Sequence, residues 1–309
     1  MSFQQDVEAH HKLTYQNNVM MVAQQMQNPL RQAVTILPVT GEAARVSDLL
    51  LKKKAVKGQD YGRNNPDNRT KKDSRWLVRP EVIHDGELVD TVDKWDAAMD
   101  PTSFLMRNSV AAVERAVFDT ILGIDEDSAG NFAVSGSGIF GLATSGKRPQ
   151  TTTALPSGNT IVHGGTGLTL DKLRAARKAL KKAEFGIEDN DPLWACITPD
   201  QEDDLLGLSA ASAGGAAPNV FNIEQLRTGK PTPLLGINWI LTNRLPVNAT
   251  GQRMIPIWSK NNIACGFWQD VEGRIWNDTS KQNLPYIYTS VFVDCVRIQD
   301  GGVRVIECA

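Results

Sequence analysis

The stretch Asp100-Pro-Thr-Ser-Phe-Leu-Met-Arg-Asn-Ser-Val-Ala-Ala-Val-Glu-Arg-Ala-Val-Phe-Asp-Thr-Ile-Leu-Gly123 divides this chain into two unlike parts. Met106, Val110, Val113, Val117 and Ile121 recur at spacings of four, three, four and four, which is one face of a helix. Asp100 suits the N-cap, Pro101 the first helical position and Gly123 the stop. At ~1.5 Å per residue, Pro101 to Leu122 spans about 30 Å. Arg107, Glu114, Arg115 and Asp119 fall off the apolar stripe.

Upstream there is little core. Residues 1–45 are rich in uncharged amides, with a weak apolar series Val19, Val22, Met26 that Pro29 and Pro38 interrupt. They read as an arm. Residues 46–100 differ: between Lys52 and Arg75, Lys52, Lys53, Lys54, Lys57, Arg63, Arg69, Lys71, Lys72 and Arg75 face only Asp60, Asp67 and Asp73, nine against three, a net +6 for that segment. The middle, Gly58 to Asn68, is turn-forming, and the flanks read as strands. Asp85-Gly86 between apolar runs predicts a hairpin turn. Together they suggest a long β-loop projecting from a body.

Downstream the chain is mixed. A second helix is expected from Leu170 to Glu184, capped by Thr169 and stopped by Gly186. Leu193–Ile197 reads as a strand and Thr198-Pro199-Asp200 as a helix start; residues 209–218 read as a small-residue loop. The last third reads as strands: Ile237–Leu241, Met254–Trp258, Ile263–Trp268, Tyr286–Val296 and Val303–Ile306.

Bulk properties narrow the class. The 309 residues exceed the roughly 250–300 at which one core stops growing. A net charge of −2, with 41% hydrophobic and 22% charged residues, argues against disorder and against a polybasic tail. No run approaches the ~20 apolar residues of a membrane span. Met1 to Asp6 lacks the features of a signal peptide. Cys196, Cys265, Cys295 and Cys308 are far apart and read as buried reduced thiols. Most of the seven tryptophans are expected in the core.

Catalytic patterns fail on inspection. Gly136-Ser-Gly138-Ile-Phe-Gly141 matches a dinucleotide loop, but Gly146 and Pro149 follow where a helix is needed. Gly141 to Lys147 nearly matches a phosphate loop, with Arg148 in place of the hydroxyl that ligates Mg²⁺. Asp125-Glu-Asp127 opens like a calcium loop, but Ala129 and Gly136 occupy ligand positions. His10, His11, His84 and His163 have no metal-ligand spacing. No catalytic, cofactor-binding or metal residue is assigned, and the chain is expected not to be an enzyme. Two alternatives stay open: a nucleotide-binding enzyme using residues 136–147, and a DNA-binding protein using residues 52–75.

The order of parts (arm, long β-loop, one long helix, mixed middle, strand-rich end) resembles the major capsid proteins of tailed double-stranded DNA bacteriophages. Their Johnson fold is shared with encapsulins and herpesvirus shells. Thr232-Pro-Leu-Leu-Gly236-Ile-Asn-Trp239-Ile-Leu-Thr-Asn243-Arg-Leu-Pro246 is similar to a strand and turn of that family. Trp258-Ser-Lys260-Asn-Asn-Ile263-Ala-Cys-Gly-Phe267 is similar to its following strand, and Val296-Arg297-Ile-Gln-Asp-Gly301-Gly-Val303-Arg-Val-Ile306 to its closing hairpin.

The resemblance implies an α+β Johnson-type fold. Residues 1–45 would be the N-terminal arm and 46–100 an extended E-loop lying over a neighbouring subunit. Residues 101–192 would hold the spine helix, the peripheral domain and the start of the axial domain. Residues 193–250 would be axial, with 251–309 returning to both. The basic residues from Lys52 to Arg75, with Trp76, become candidate contacts between subunits. The implied partners are other copies in pentamers and hexamers, a portal, and enclosed double-stranded DNA held without sequence recognition; no membrane or cofactor is implied. Only about 45 residues precede the loop, which suggests a separate scaffolding protein. The chain would be assembled in the host bacterial cytoplasm and reside in the virion.

Overall fold

The computed structural model describes residues 28–50, 72–89, 102–188, 190–211 and 235–309. In chain order, strands β1 (Thr35–Pro38), β2 (Ala43–Leu50), β3 (Lys72–Val78) and β4 (Ile83–Leu88) precede helix α1 (Thr102–Leu122). Short strands follow: β5 (Ile124–Glu126), β6 (Phe132–Val134), β7 (Ala143–Ser145), β8 (Thr151–Thr153) and β9 (Thr160–Ile161). Then come α2 (Leu170–Lys182), β10 (Leu193–Ile197), α3 (Pro199–Ala211), β11 (Ile237–Leu241) and β12 (Arg253–Ser259). The long strands β13 (Ile263–Asp278) and β14 (Leu284–Arg297) and the shorter β15 (Val303–Cys308) close the chain.

Two sheets carry most of the body. One runs β1-β13-β14-β4, with β1 parallel to β13 and the other pairs antiparallel. The other runs β11-β10-β12-β15-β9. Helix α1 lies on the first sheet. Val113, Val117, Phe118, Ile121 and Leu122 are buried there, close to the stripe read from spacing. Met106 packs on Gly273, where a Cβ would stand 1.9 Å from the Met106 methyl, and Ser109 Oγ meets Thr289 Oγ1 at 3.0 Å. Helix α2 buries Leu173, Ala176 and Leu180. Its Thr169 cap accepts from the Lys172 N–H as expected, but the helix ends at Lys182, with Glu184 already at φ +71.

Helix α3 starts at Pro199 and reaches Ala211, longer than read, so residues 209–211 are helical and not loop. Its start is held by the Gln201 side-chain oxygen, which accepts from the Thr198 N–H at 3.3 Å and from the Thr198 hydroxyl.

Four other expectations change. The arm does not extend to residue 45: from Asn28 the chain belongs to the body. Leu30, Ala33 and Val34 are buried in the main core, the Trp258 indole donates to Ala33 O at 2.9 Å, and β1 joins the sheet. The apolar series Val19 to Met26 lies outside the described residues. Asp85-Gly86 is not a turn but the middle of β4, paired with Tyr288 and Thr289. Glycine stands there because the Tyr286 hydroxyl crosses it; a Cβ would lie 2.1 Å from that oxygen. The long strands also outrun their apolar cores, because β13 and β14 continue into a two-sided ribbon with exposed residues on β13.

Among the tryptophans, only Trp258 of the described six is fully buried; Trp276 is 44% exposed and the others are half-buried. The four cysteines are buried and free. Cys265 and Cys295 are cross-strand partners, and burial pushes the Cys308 thiol up to about 11. Among the described residues no helix is long and apolar enough to cross a membrane.

Candidate assembly surface

The basic segment joins β2 to β3 in sequence, and these two strands form the legs of a β-ribbon. Strands β2 and β3 pair antiparallel from Ala43↔Val78 to Leu50↔Lys72, with a bulge between Arg45 and Ser47. Lys52, Lys53, Lys54, Lys57, Arg63, Arg69 and Lys71 lie outside the described residues. Lys72 is the first residue of β3.

Arg75 and Trp76 have clear places, and both work within the subunit. Arg75 is 6% exposed, so it is not a free surface cation. Its guanidinium donates to Ile298 O at 3.1 Å and to Asp300 at 3.3 Å. It therefore braces the ribbon to the turn after β14, a correction to its reading as a contact residue. The Trp76 indole donates to Gly146 O at 2.8 Å, and the Arg45 guanidinium lies 5.6 Å from its ring centre. Most of Trp76 is already covered by its own chain.

The base of the ribbon meets the end of α1 at one hub. Asp294 is buried and accepts from the Val78 N–H of β3 and the Cys295 N–H, each at 2.9 Å, and from the Ser137 hydroxyl. Burial pushes its carboxyl above the ordinary range, against those donors. Three residues on, Arg297 is fully buried. Its guanidinium donates to Gly138 O at 3.1 Å, Ile139 O at 3.0 Å, Thr153 O at 3.2 Å and also Gly141 O. It pairs with Asp300 at 3.4 Å, and burial draws its pKa down. Asp300 thus links Arg75 and Arg297.

This hub explains the glycine-rich segment. Gly138 has φ +100, and a Cβ there would stand 2.6 Å from Thr120 O and the Gly123 nitrogen. The Ile139, Phe140 and Ser135 N–H groups donate to Ile121 O, Leu122 O and Gly123 O at 2.8–3.0 Å. The segment is therefore a cap on the C-terminal carbonyls of α1. Its N–H groups are committed to a helix C-terminus and its carbonyls to Arg297, whereas a phosphate loop aims free N–H groups at an anion. That arrangement counts against nucleotide binding by residues 136–147. Asp125 and Glu126 pair within β5, and Asp127 to Asn131 is the β5–β6 turn, held by Asp127 Oδ1 accepting from Ala129 and Asn131 N–H groups at 2.8 Å.

Two features were not read from sequence. Arg244 grips Asp119 through two bonds of 2.8 and 2.6 Å and reaches Glu126 at 2.6 Å, tying the turn after β11 to α1. Arg174, Arg177, Lys178, Lys181 and Lys182 line a groove of about 740 Å³ along α2. The helical spacing of those five cations was the signal available for the second.

Comparison with known proteins follows that geometry. A family model described as phage capsid protein matches residues 7–309. No curated protein matches the chain. Among solved structures, the capsid of Ralstonia phage GP4 is similar at TM-score 0.67 and 10% identity, covering 96% of this chain and 95% of that one. A Mycobacterium phage Bobi chain is similar at TM-score 0.66 and 13% identity, covering 96% and 94%. The SrpI encapsulin of Synechococcus elongatus PCC 7942 is similar at TM-score 0.56 and 13% identity, covering 94% and 92%. The sheets, the long helix and the β-ribbon form the Johnson-type α+β fold that the sequence suggested.

Proposed function

This chain belongs to the phage capsid protein family, and from that premise we propose how its parts build a shell. It is a major capsid protein, a structural protein of the virion head. In our reading the β2–β3 ribbon carries the basic segment onto a neighbouring copy, and residues preceding Asn28 form an arm that orders against another subunit. Residues 101–192, with α1 as spine, serve the peripheral domain and the start of the axial domain; residues 193–250 serve the axial domain, and 251–309 return to both.

One observation carries this reading. The ribbon is held rigidly at its base by Arg75, Trp76 and Asp294, while its charged segment is too polar to build a core of its own. A sequence that cannot build a core of its own is ordered by a partner, and in our reading that partner is a neighbouring copy. Many modest contacts of this kind become strong when repeated around a closed shell.

The partners we propose are pentamers and hexamers of the same chain, a separate scaffolding protein, a portal, and enclosed double-stranded DNA, with assembly in the host bacterial cytoplasm. The basic face of α2 has the charge to meet a phosphate backbone without reading sequence. Electron microscopy of the expressed chain, with and without a co-expressed scaffold, tests the reading. Closed shells or capsomers are expected; a compact monomer under every condition refutes it.

A further inference from the structure

We propose that Cys265 and Cys295 are an oxidisable pair, a modification site at which a disulfide closes between β13 and β14 within one subunit. The inference concerns the subunit itself and stands apart from the shell-forming reading.

Cross-strand register places the two thiols. Cys265 and Cys295 are directly paired in the antiparallel β13–β14 ladder. Just beyond the strands, the Ile298 N–H donates to Asn262 O at 2.8 Å. Hydrogen-bonded and non-hydrogen-bonded pairs alternate along such a ladder, so Ala264 and Val296 are a hydrogen-bonded pair and the two cysteines are not. Neighbouring bonds agree. The Cys295 N–H donates to the Asp294 carboxylate at 2.9 Å, and Phe267 O, two residues from Cys265, accepts from the Val39 N–H at 3.0 Å. Both cysteines belong to the main core, whereas Ala264 and Val296 belong to a second cluster with Leu77 of β3, so the thiols share one side of the sheet. Opposed Cα atoms of a non-hydrogen-bonded pair lie about 4.5 Å apart, within the ~4.4–6.8 Å that a disulfide spans without backbone movement. Burial, and then a hydrogen bond with the Cys265 thiol, hold the Cys295 thiol well above its ordinary range, so the two sulfurs already meet.

The other two cysteines cannot pair with each other. Cys196 lies on β10 and Cys308 on β15, with β12 between them, so they stand at least two strand spacings apart, about 9.5 Å, beyond the ~7 Å a disulfide tolerates. For the adjacent pair, hydrogen peroxide is an oxidant small enough to enter through brief local opening. One thiolate attacks a peroxide oxygen, the O–O bond breaks and hydroxide leaves, giving a sulfenic acid. The partner thiolate attacks that sulfur, the S–S bond forms and a second hydroxide leaves. The two thiol protons turn both hydroxides into water, and two electrons pass from the sulfurs to the peroxide. Burial keeps thiolate scarce, so the reaction is slow, and the finished bond is equally hidden from reductants. A reducing compartment holds the pair as thiols. The bond closes a loop of about 30 residues, the whole β13–β14 hairpin beyond the pair, and so restricts the unfolded chain.

The test uses the full chain in two arms. In one, the folded chain is treated with hydrogen peroxide. In the other, unfolded chain is refolded in glutathione disulfide, where access does not limit exchange and each new protein disulfide releases a pair of glutathione thiols. Remaining thiols are capped with N-ethylmaleimide in denaturant, and the chain is cut with trypsin without reduction. A peptide joining Cys265 to Cys295, lighter by two hydrogens than its separated parts, is expected in both arms, with Cys196 and Cys308 capped. Linked chains should melt about 6 °C above reduced ones. Cys295→Ala and, independently, Cys265→Val should abolish the link and the rise, whereas Cys308→Ala should keep both. Capped thiols at both positions in either arm, sulfinic acid or a stable glutathione adduct in place of the link, a link to Cys196, to Cys308 or between two copies, or an unchanged melting temperature in linked chains would overturn the proposal.

Discussion

Replacing Arg297 by Met removes the guanidinium from the hub while keeping much of its volume. Four backbone carbonyls, those of Gly138, Ile139, Gly141 and Thr153, lose a charged donor, and Asp300 loses one of its two arginines. Because Arg297 is fully buried, water cannot enter to replace it without opening the core. A buried acceptor left unpaired costs roughly 1–3 kcal/mol, and breaking a buried charged pair about 3–5 kcal/mol in total. These carbonyls relax in part, and the desolvation cost of the arginine itself is recovered, so the net loss should be about 3–5 kcal/mol. For a chain of this size that corresponds to a fall in Tm of about 5–8 °C. The assay is thermal unfolding of the unassembled subunit, since assembly adds stability of its own. Arg297→Lys, which keeps one charge but cannot reach four carbonyls, should fall between. A drop below about 2 °C for Arg297→Met would show that the hub is not held by these bonds.

Gly138→Ala combines φ +100 with backbone atoms at 2.6 Å and should cost about 3 kcal/mol or more in urea unfolding. Gly130→Ala, at φ +81 with open space around it, should cost about 1 kcal/mol; equal costs would contradict the cap geometry. The Asp294 carboxyl is held above its ordinary value by burial, so the folded state binds its proton more tightly than the unfolded chain does. Its contribution is therefore fully present below about pH 3.9 and is lost as pH rises through the raised folded value. The stability difference between the native chain and Asp294→Asn should shrink over that rise, and a difference independent of pH would refute it. Because the 136–142 segment faces a helix C-terminus, ATP and NAD at millimolar concentration should leave the subunit's Tm unchanged, and a reproducible rise with either would restore a nucleotide site.

Periodic and terminal signals were legible. The Met106–Ile121 spacing located α1, Thr169 located the start of α2, and Leu193–Ile197 and Ile237–Leu241 came out to the residue. Those signals are local: apolar period, cap chemistry and strand composition act within a turn or a pair. What escaped depends on distant partners. Asp85-Gly86 has turn composition, yet its glycine answers to Tyr286, two hundred residues away. The Gly136–Gly141 spacing is shared by phosphate loops and by this helix cap; only the direction of the helix it meets tells them apart. Arg75 counted as one of nine basic residues, although Ile298 and Asp300 bury it. Arg297 sat inside a quoted hairpin motif, but its partners come from loops more than 140 residues earlier. For the assembly surface, charge along the chain could be counted from sequence, whereas the engagement of Arg75 and Trp76 within their own subunit required the fold.

The junction at Asn28 has a mechanical consequence. Leu30 sits in the core, Arg31 bridges Glu114 of α1 and Asp270 of β13 at 2.9 Å each, and β1 then runs parallel to β13 through four paired residues. A pull on the residues before Asn28 first meets the Arg31 bridges and the buried leucine. It then loads the β1–β13 bonds along the strand axis, so they must slip together instead of opening one by one. Tension arriving through the N-terminus is thereby divided between the longest described helix and the longest described strand.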